Sequence, residues 1–373
     1  MLHTTPRRLL RHGCCLLCAL LPLSAAIAQS IPGGPAQADM TVDTTQRDHV
    51  VEALIQALNQ GYVFPEQARK IEQSLRAHRR HGDYDKLSSA EKLAATLTEQ
   101  LRGETNDQHL LVVYSEPEIP EQDANHKPSA EEQAEELAAM KSHNFGIERV
   151  ERLPFNIGYL DLRAFAPPKE AAGAIAAAMT LLSNTQSLII DLRRNGGGEP
   201  PTVALIASYL LDERTHLNDI YYREGNRTEQ MWSADFVAGS RYGQTKDVYL
   251  LTSKNTFSAA EDLSYTLKNL KRATLVGETT GGGAHPGDFV RIDAHFSVFV
   301  PNGRSISPIT HTDWEGKGVT PDLAVPAEDA CKTAQMAILK KLLGSEHNPR
   351  SVARLKDRIA KVEQENTAGS MDQ

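Results

Sequence analysis

Ser187-Leu188-Ile189-Ile190-Asp191-Leu192-Arg193-Arg194-Asn195-Gly196-Gly197-Gly198 is the stretch that decides the fold class. An apolar run of strand length that ends in a glycine cluster reads as a strand buried on both faces, the kind found in parallel sheets. Two flanking segments have the same texture. Upstream, Ile157–Leu162 reads as a strand and Glu170–Leu182 as an alanine-rich helix. Downstream of the glycine turn come a helix over Thr202–Leu211, a strand over Asp247–Thr252, a helix over Ser258–Leu270 and a strand over Ala273–Val276. Strands that alternate with helices give an α/β core with a largely parallel sheet. Phe289–Ile292 and Phe296–Val300 are expected to pair, and Asn302-Gly303 to make a hairpin turn into Arg304–Ile306.

Further from this core the texture changes. Residues 42–104 carry helical periodicity, with Val50, Val51, Leu54, Ile55 and Leu58 in one set and Leu93, Leu97 and Leu101 in another. They are read as an N-terminal helical domain, ahead of a core over 105–343 whose first strand is Leu110–Tyr114. Residues 116–150 form a polar, Glu-rich insert with a short helix near Ala130–Met140, too small for a domain of its own. The stretch 344–373 reads as a charged, helical tail. At the other end Arg7, Arg8 and Arg11 precede an apolar run from Cys14 to Leu23, followed by Ala26-Ile27-Ala28. That is the pattern of a signal peptide over residues 1–28, too short for a membrane span. The expected location is therefore the periplasm or the exterior, with no stable membrane span once the signal is cleaved. Export would leave Cys331 as the single thiol, so stability must come from core burial.

Composition narrows the function. Among 373 residues there are 40 Lys+Arg against 48 Asp+Glu, a net charge of −8, which argues against a nucleic-acid binder. No His, Cys or acidic cluster has zinc-like spacing, and no nucleotide-loop motif follows the strands, so neither metal nor cofactor is expected.

Chemistry is expected where strands end, since ligands of open α/β sheets bind at the carboxyl ends of strands. Gly196-Gly197-Gly198 frees backbone N–H groups for an oxyanion or a phosphate, although a plain tight turn reads equally well. Ser258 opens a helix directly after a strand, beside unpaired helix-terminal donors. The same Ser258-x-x-Glu261 spacing is a capping box that needs no catalysis. His109, His285 and His311 are candidate bases, and Glu315 could orient an imidazole.

In their order along the chain these segments resemble the tail-specific, or C-terminal processing, family of serine peptidases. The resemblance rests on Gly158-Tyr159-Leu160, Asp191–Gly198, Leu251–Ser253 with Thr256–Glu261, Val276–Gly282, and Gly316-Lys317-Gly318-Val319-Thr320-Pro321-Asp322. The helical residues 43–102 are similar to the amino-terminal domain of the branch related to interphotoreceptor retinoid-binding protein. What the resemblance implies is a crotonase-like core of stacked ββα units, with Ser258 as nucleophile and an oxyanion hole from Gly197 or Gly198 and from Ala259. Many members pair the serine with a lysine, but here the lysine position is Gly283. The tricorn-like members use instead a His before an early strand and a Glu shortly before the Gly-Val-x-Pro-Asp motif, which correspond to His109 and Glu315. His285 is the alternative base. No peptide-gripping PDZ module fits in residues 116–150. The expected partner is a peptide or protein substrate. The alternative reading is a non-catalytic module that holds an apolar ligand or a peptide on the same fold.

Overall fold

The computed structural model describes residues 37–121 and 128–364, so the signal-peptide reading of residues 1–28 lies outside the described residues. Three helices come first: α1 (Thr44–Gly61), α2 (Pro65–His81) and α3 (Ala90–Thr105). Asp43 accepts the Gln46 amide at 2.8 Å and Ser89 accepts the Lys92 amide at 3.0 Å, so two of the helix starts are capped by side-chain oxygens. Asn106, at φ 59°, ends α3 in the left-handed conformation and turns the chain into β1 (Leu111–Tyr114).

After the insert helix α4 (Ala130–Ser142), the core follows as β2 (Ile147–Leu153), β3 (Ile157–Leu162), α5 (Pro168–Leu182), β4 (Ser187–Asp191) and α6 (Pro200–Leu210). Next come β5 (His216–Tyr222), β6 (Arg227–Trp232), β7 (Asp247–Thr252), α7 (Ala259–Asn269) and β8 (Thr274–Gly277). The chain closes with β9 (Gly287–Arg291), β10 (Phe296–Pro301), β11 (Gly303–Ile306), β12 (Leu323–Ala324), α8 (Ala330–Ser345) and α9 (Pro349–Gln364).

The main sheet has the order β12-β8-β7-β4-β3-β2, parallel from β12 to β3, with β2 as an antiparallel edge. Its apolar runs are continuous because both faces are covered. Leu188 and Ile190 of β4, with Val248 and Leu250 of β7, face the cluster that holds α5, α6 and α7. Ile189, Tyr249 and Leu251 point the other way, against Ala334, Ile338 and Leu339 of α8 and Leu355 and Val362 of α9. Residues 349–364, part of the stretch read from the sequence as a charged, helical tail, thus form a helix that seals the second face of the sheet. The expected α/β core behind a helical N-terminal unit is present.

A second sheet, β1-β10-β9, packs its apolar side on the three N-terminal helices, so Leu54, Leu93 and Leu97 share one cluster with Val112, Phe296, Val298 and Val300. That cluster spans both sides of the boundary drawn at 104/105. The hairpin expected at Asn302-Gly303 is not formed. β10 pairs with β9 and β1, whereas β11 crosses to a third sheet and pairs with β5. Neither Asn302 nor Gly303 takes the positive φ that a two-residue hairpin turn needs, and both amides donate instead to the Pro286 carbonyl at 3.0 Å.

Candidate active site

The carboxyl ends of the neighbouring strands β4 and β7 carry the glycine turn and the serine loop, and side chains clasp the two together. Thr256 Oγ1 donates to the Leu192 carbonyl at 2.8 Å, Ser253 Oγ to the Arg193 carbonyl at 2.5 Å, and the Phe257 amide to the Asn195 carbonyl at 3.0 Å. Buried Asn195 also donates from Nδ2 to the Leu162 carbonyl at the end of β3, at 2.9 Å. Sequence reading treated Asn195 only as part of a turn, yet it fastens three loop segments.

Ser258 follows this loop at φ 55°, ψ −120°, a conformation that costs on the order of 1–3 kcal/mol for a non-glycine residue. Neighbours hold it there. Glu261, fully buried, accepts the Ser258 amide at 3.0 Å, the Gly282 amide at 2.7 Å and the Gly283 amide at 2.8 Å, and also the Thr280 hydroxyl. Burial raises the Glu261 carboxyl, and these donors act to lower it. The carboxylate half of the capping box is therefore built. It does more than cap, because it ties the start of α7 to the loop over 280–283.

The Ser258 hydroxyl lies 3.1 Å from His109 Nε2. His109 reaches this place from the N-terminal unit, three residues past the Asn106 cap. Arg102 of α3 donates to the Gln108 carbonyl at 2.8 Å and to the Leu110 carbonyl at 3.0 Å, fixing the backbone on either side. The ring sits between Phe257 and Phe299, with centroids at 4.6 and 5.6 Å. Burial drives its pKa down to about 4, against the opposing pull of Asp107, so the ring is neutral at pH 7 and able to take a proton. Its Nδ1 is buried and has no hydrogen-bond partner among the described residues.

Glu315 stands behind the ring. Its carboxylate accepts the Gln108 amide at 3.2 Å and the Ala284 amide at 2.5 Å. Ligand-type atoms of Glu315, His109 and Asp107 lie within 4.8 Å of one another, and the two carboxylates are already engaged by amides and by a second imidazole. Burial and the Asp107 charge raise Glu315 to about 7.

His285, the alternative base, is directed elsewhere: Nδ1 lies 2.7 Å from Asp107 Oδ2 and 3.4 Å from Glu315 Oε2. Asp107 also accepts the Tyr62 hydroxyl at 3.1 Å and the His109 amide at 3.1 Å. Sequence reading passed over Asp107, for which the only signal was its position two residues before His109. His311 lies in an exposed turn, at φ 56°, and has no part in this cluster.

Two glycine positions are dictated by the site. A Cβ on Gly197, which has φ +110°, would stand 2.7 Å from the Ser258 Cβ. A Cβ on Gly283 would stand 2.6 Å from His109 Cε1 and 2.3 Å from a Phe257 ring carbon. The imidazole therefore occupies the space where a side chain at 283 would begin. The expectation for the oxyanion donors needs one correction. The Gly197 amide donates to Asn195 Oδ1 at 2.8 Å, so it is committed inside the turn. The Gly198 and Ala259 amides make no hydrogen bond among the described residues.

Together these groups can move a proton from a hydroxyl to a neutral imidazole backed by a carboxylate, with two amides available to a nearby oxyanion. The chain has relatives with such names. Over 172 residues it is 30% identical to the carboxyl-terminal-processing peptidase 2, chloroplastic, of Arabidopsis thaliana, which covers 46% of this chain and 32% of that protein. It is 29% identical over 194 residues to the C-terminal processing peptidase, chloroplastic, of Tetradesmus obliquus, covering 52% of this chain and 40% of that one. The chain thus spans well under half the length of these curated relatives. Two solved structures share the fold. One is a chain from Parabacteroides merdae (TM-score 0.55, 20% identity, 81% of this chain and 99% of that chain). The other is a lipoprotein from Streptococcus agalactiae (TM-score 0.51, 14% identity, 79% of this chain and 96% of that chain). The family described as the N-terminal domain of peptidase S41 in eukaryotic IRBP matches residues 40–148, and peptidase family S41 itself matches residues 156–325. Helical unit, strand-end serine and closing Gly-Val-x-Pro-Asp segment thus fall within consecutive matches, and the chain belongs to peptidase family S41.

Proposed function

We propose that this protein is a serine peptidase that hydrolyses peptide bonds through an acyl-enzyme on Ser258, with His109 as general base and Glu315 as its carboxylate partner. The observation that carries the reading is the 3.1 Å approach of His109 Nε2 to the Ser258 hydroxyl. The proton on Oγ passes to Nε2 as Oγ bonds to the substrate carbonyl carbon. The same proton then goes to the leaving amine as the C–N bond breaks, and water repeats the sequence to release the acid. Gly198 and Ala259 amides serve the oxyanion. While Nε2 accepts from the hydroxyl, Nδ1 carries the ring proton, and the nearby Glu315 anion favours the imidazolium that forms.

The Gly283 contacts also support a histidine base. A chain that places an imidazole against position 283 has no room there for the lysine side chain that other family members use. The absent lysine is therefore no argument for a non-catalytic module. Substrates are peptides or proteins. The reading includes export, on the strength of Arg7, Arg8, Arg11 and the Ala26-Ile27-Ala28 site. Among the described residues no helix is long and apolar enough to cross a membrane. N-terminal sequencing of protein recovered from an exporting host should begin after Ala28; an intact Met1 there would contradict export. The function itself is tested with a fluorophosphonate probe. Wild type should be labelled and Ser258→Ala should not, and labelling that survives the substitution would end the proposal.

A further inference from the structure

Behind the imidazole that touches Ser258 lies a second, almost wholly buried imidazole that does not touch the serine. His285 is 5% exposed and Asp107 1% exposed, and His285 Nδ1 faces two carboxylates, Asp107 at 2.7 Å and Glu315 at 3.4 Å. One N–H shared between a buried acid and a largely buried one is a poor use of a residue whose role is only packing. Two adjacent buried carboxylates cannot both stay ionised unless a cation stands with them. The groups that face this imidazole come from every side. They are Asp107 from the turn before β1, Tyr62 through its hydroxyl on Asp107, Glu315 and, further off, Asp313 from the loop before β12. The Phe64 ring closes the remaining side edge-on at 5.2 Å, and the His109 ring lies close enough to feel the charge.

We propose that His285 is a positioning residue: as the buried cation between Asp107 and Glu315 it keeps Glu315 an anion beside the His109 ring. The inference rests on the peptidase reading and deepens it. With His285 charged, the Asp107–His285–Glu315 group carries a net charge of −1 while His109 is neutral, and this balances the imidazolium formed when the Ser258 proton arrives. Remove the cation and Glu315 takes up a proton to relieve its repulsion with Asp107. The backbone bonds from Gln108 and Ala284 then hold a neutral acid that no longer favours the imidazolium. Burial opposes a charge on His285, but the hydrogen bond and charge of Asp107, helped by Glu315, outweigh it and raise its pKa above the ordinary value.

The test is the second-order rate constant of fluorophosphonate labelling measured against pH in wild type, His285→Gln and Ser258→Ala. In His285→Gln the acid limb should move upward by about one pH unit, so that labelling at pH 6 drops about tenfold. Above pH 9 the rate should return to within about threefold of wild type. A packing role predicts a lower melting temperature and an acid limb that stays where it was, and that result overturns the inference. If His285→Gln does not fold, the ¹⁵N histidine spectrum of Ser258→Ala decides. The ring in contact with Phe64 should be doubly protonated at pH 7.5, and a singly protonated ring there is the contrary result. A wild type that does not label, or a Ser258→Ala protein that does, would instead strike the peptidase reading itself.

Discussion

Ser258 and His109 meet at 3.1 Å but are delivered by different kinds of structure. The serine sits in the loop between β7 and α7, beside a sheet covered on both faces, and the groups that shape its loop lie on the neighbouring strand ends and turns and on the first turn of α7. The histidine hangs from the left-handed cap of α3 and the start of β1, whose apolar contacts run into the three N-terminal helices. Glu315, which accepts the Gln108 amide at 3.2 Å, bridges the two halves, as does Asn106, whose side-chain amide reaches the Gly316 carbonyl at 3.5 Å. The Ser258–His109 distance therefore depends on how one packed unit seats on another, while the strained serine turn depends on one unit alone.

This contrast yields predictions of graded size. The largest effect is expected for Ser258→Ala, which removes the nucleophile and should leave no covalent labelling. His109→Ala should reduce kcat by about four or more orders of magnitude, with little change in thermal midpoint. Glu315→Gln should cost about a thousandfold. It should also flatten the acid limb of the activity profile, which in wild type should lie near pH 7. The sign follows from the raised carboxyl: below about 7 Glu315 is protonated, so activity rises with pH through that value. A wild-type limb near pH 4 would assign the control of activity to the His109 ring instead.

Gly283→Ala tests the seating more gently. The added methyl must displace the His109 ring or Phe257, and a shift of about 1 Å in a catalytic group can cost about a hundredfold in rate. A Gly283→Ala enzyme of full activity would mean that the ring has room to spare. The smallest effect compares two core truncations of similar chemistry. Leu97→Ala in the helical cluster and Ile338→Ala under the main sheet should each destabilise by about 2–5 kcal/mol. Measured well below both melting points, only Leu97→Ala should lower kcat, by several-fold, because only that cluster carries the histidine.

The same contrast explains what could be read from the sequence. The parallel strands, their helices and the place of Ser258 at a helix start were legible because each is encoded locally, by an apolar run, a turn or a helix start; the nucleophile role came only with the family resemblance. His109 and Glu315 became candidates through the family resemblance, since nothing within a few residues of either marks it as catalytic. Asp107 gave little signal beyond its place two residues before His109, because its partners Tyr62 and His285 are brought to it only by tertiary packing. Asn302-Gly303 misled for a related reason. The dipeptide permits a hairpin, but the Pro286 carbonyl took both amides and β11 found β5, a partner that no local pattern announces. The stretch after Gly344 looked like a tail because its charges are visible in sequence and the sheet face it covers is not.

The central claim is that His109 withdraws the proton from Ser258, and the most direct measurement is the covalent labelling rate of Ser258 in His109→Ala against wild type at pH 8. The account predicts a single fluorophosphonate adduct on the Ser258 peptide of wild type and a rate at least about a thousandfold lower in the folded variant. Equal labelling in the two proteins would contradict it.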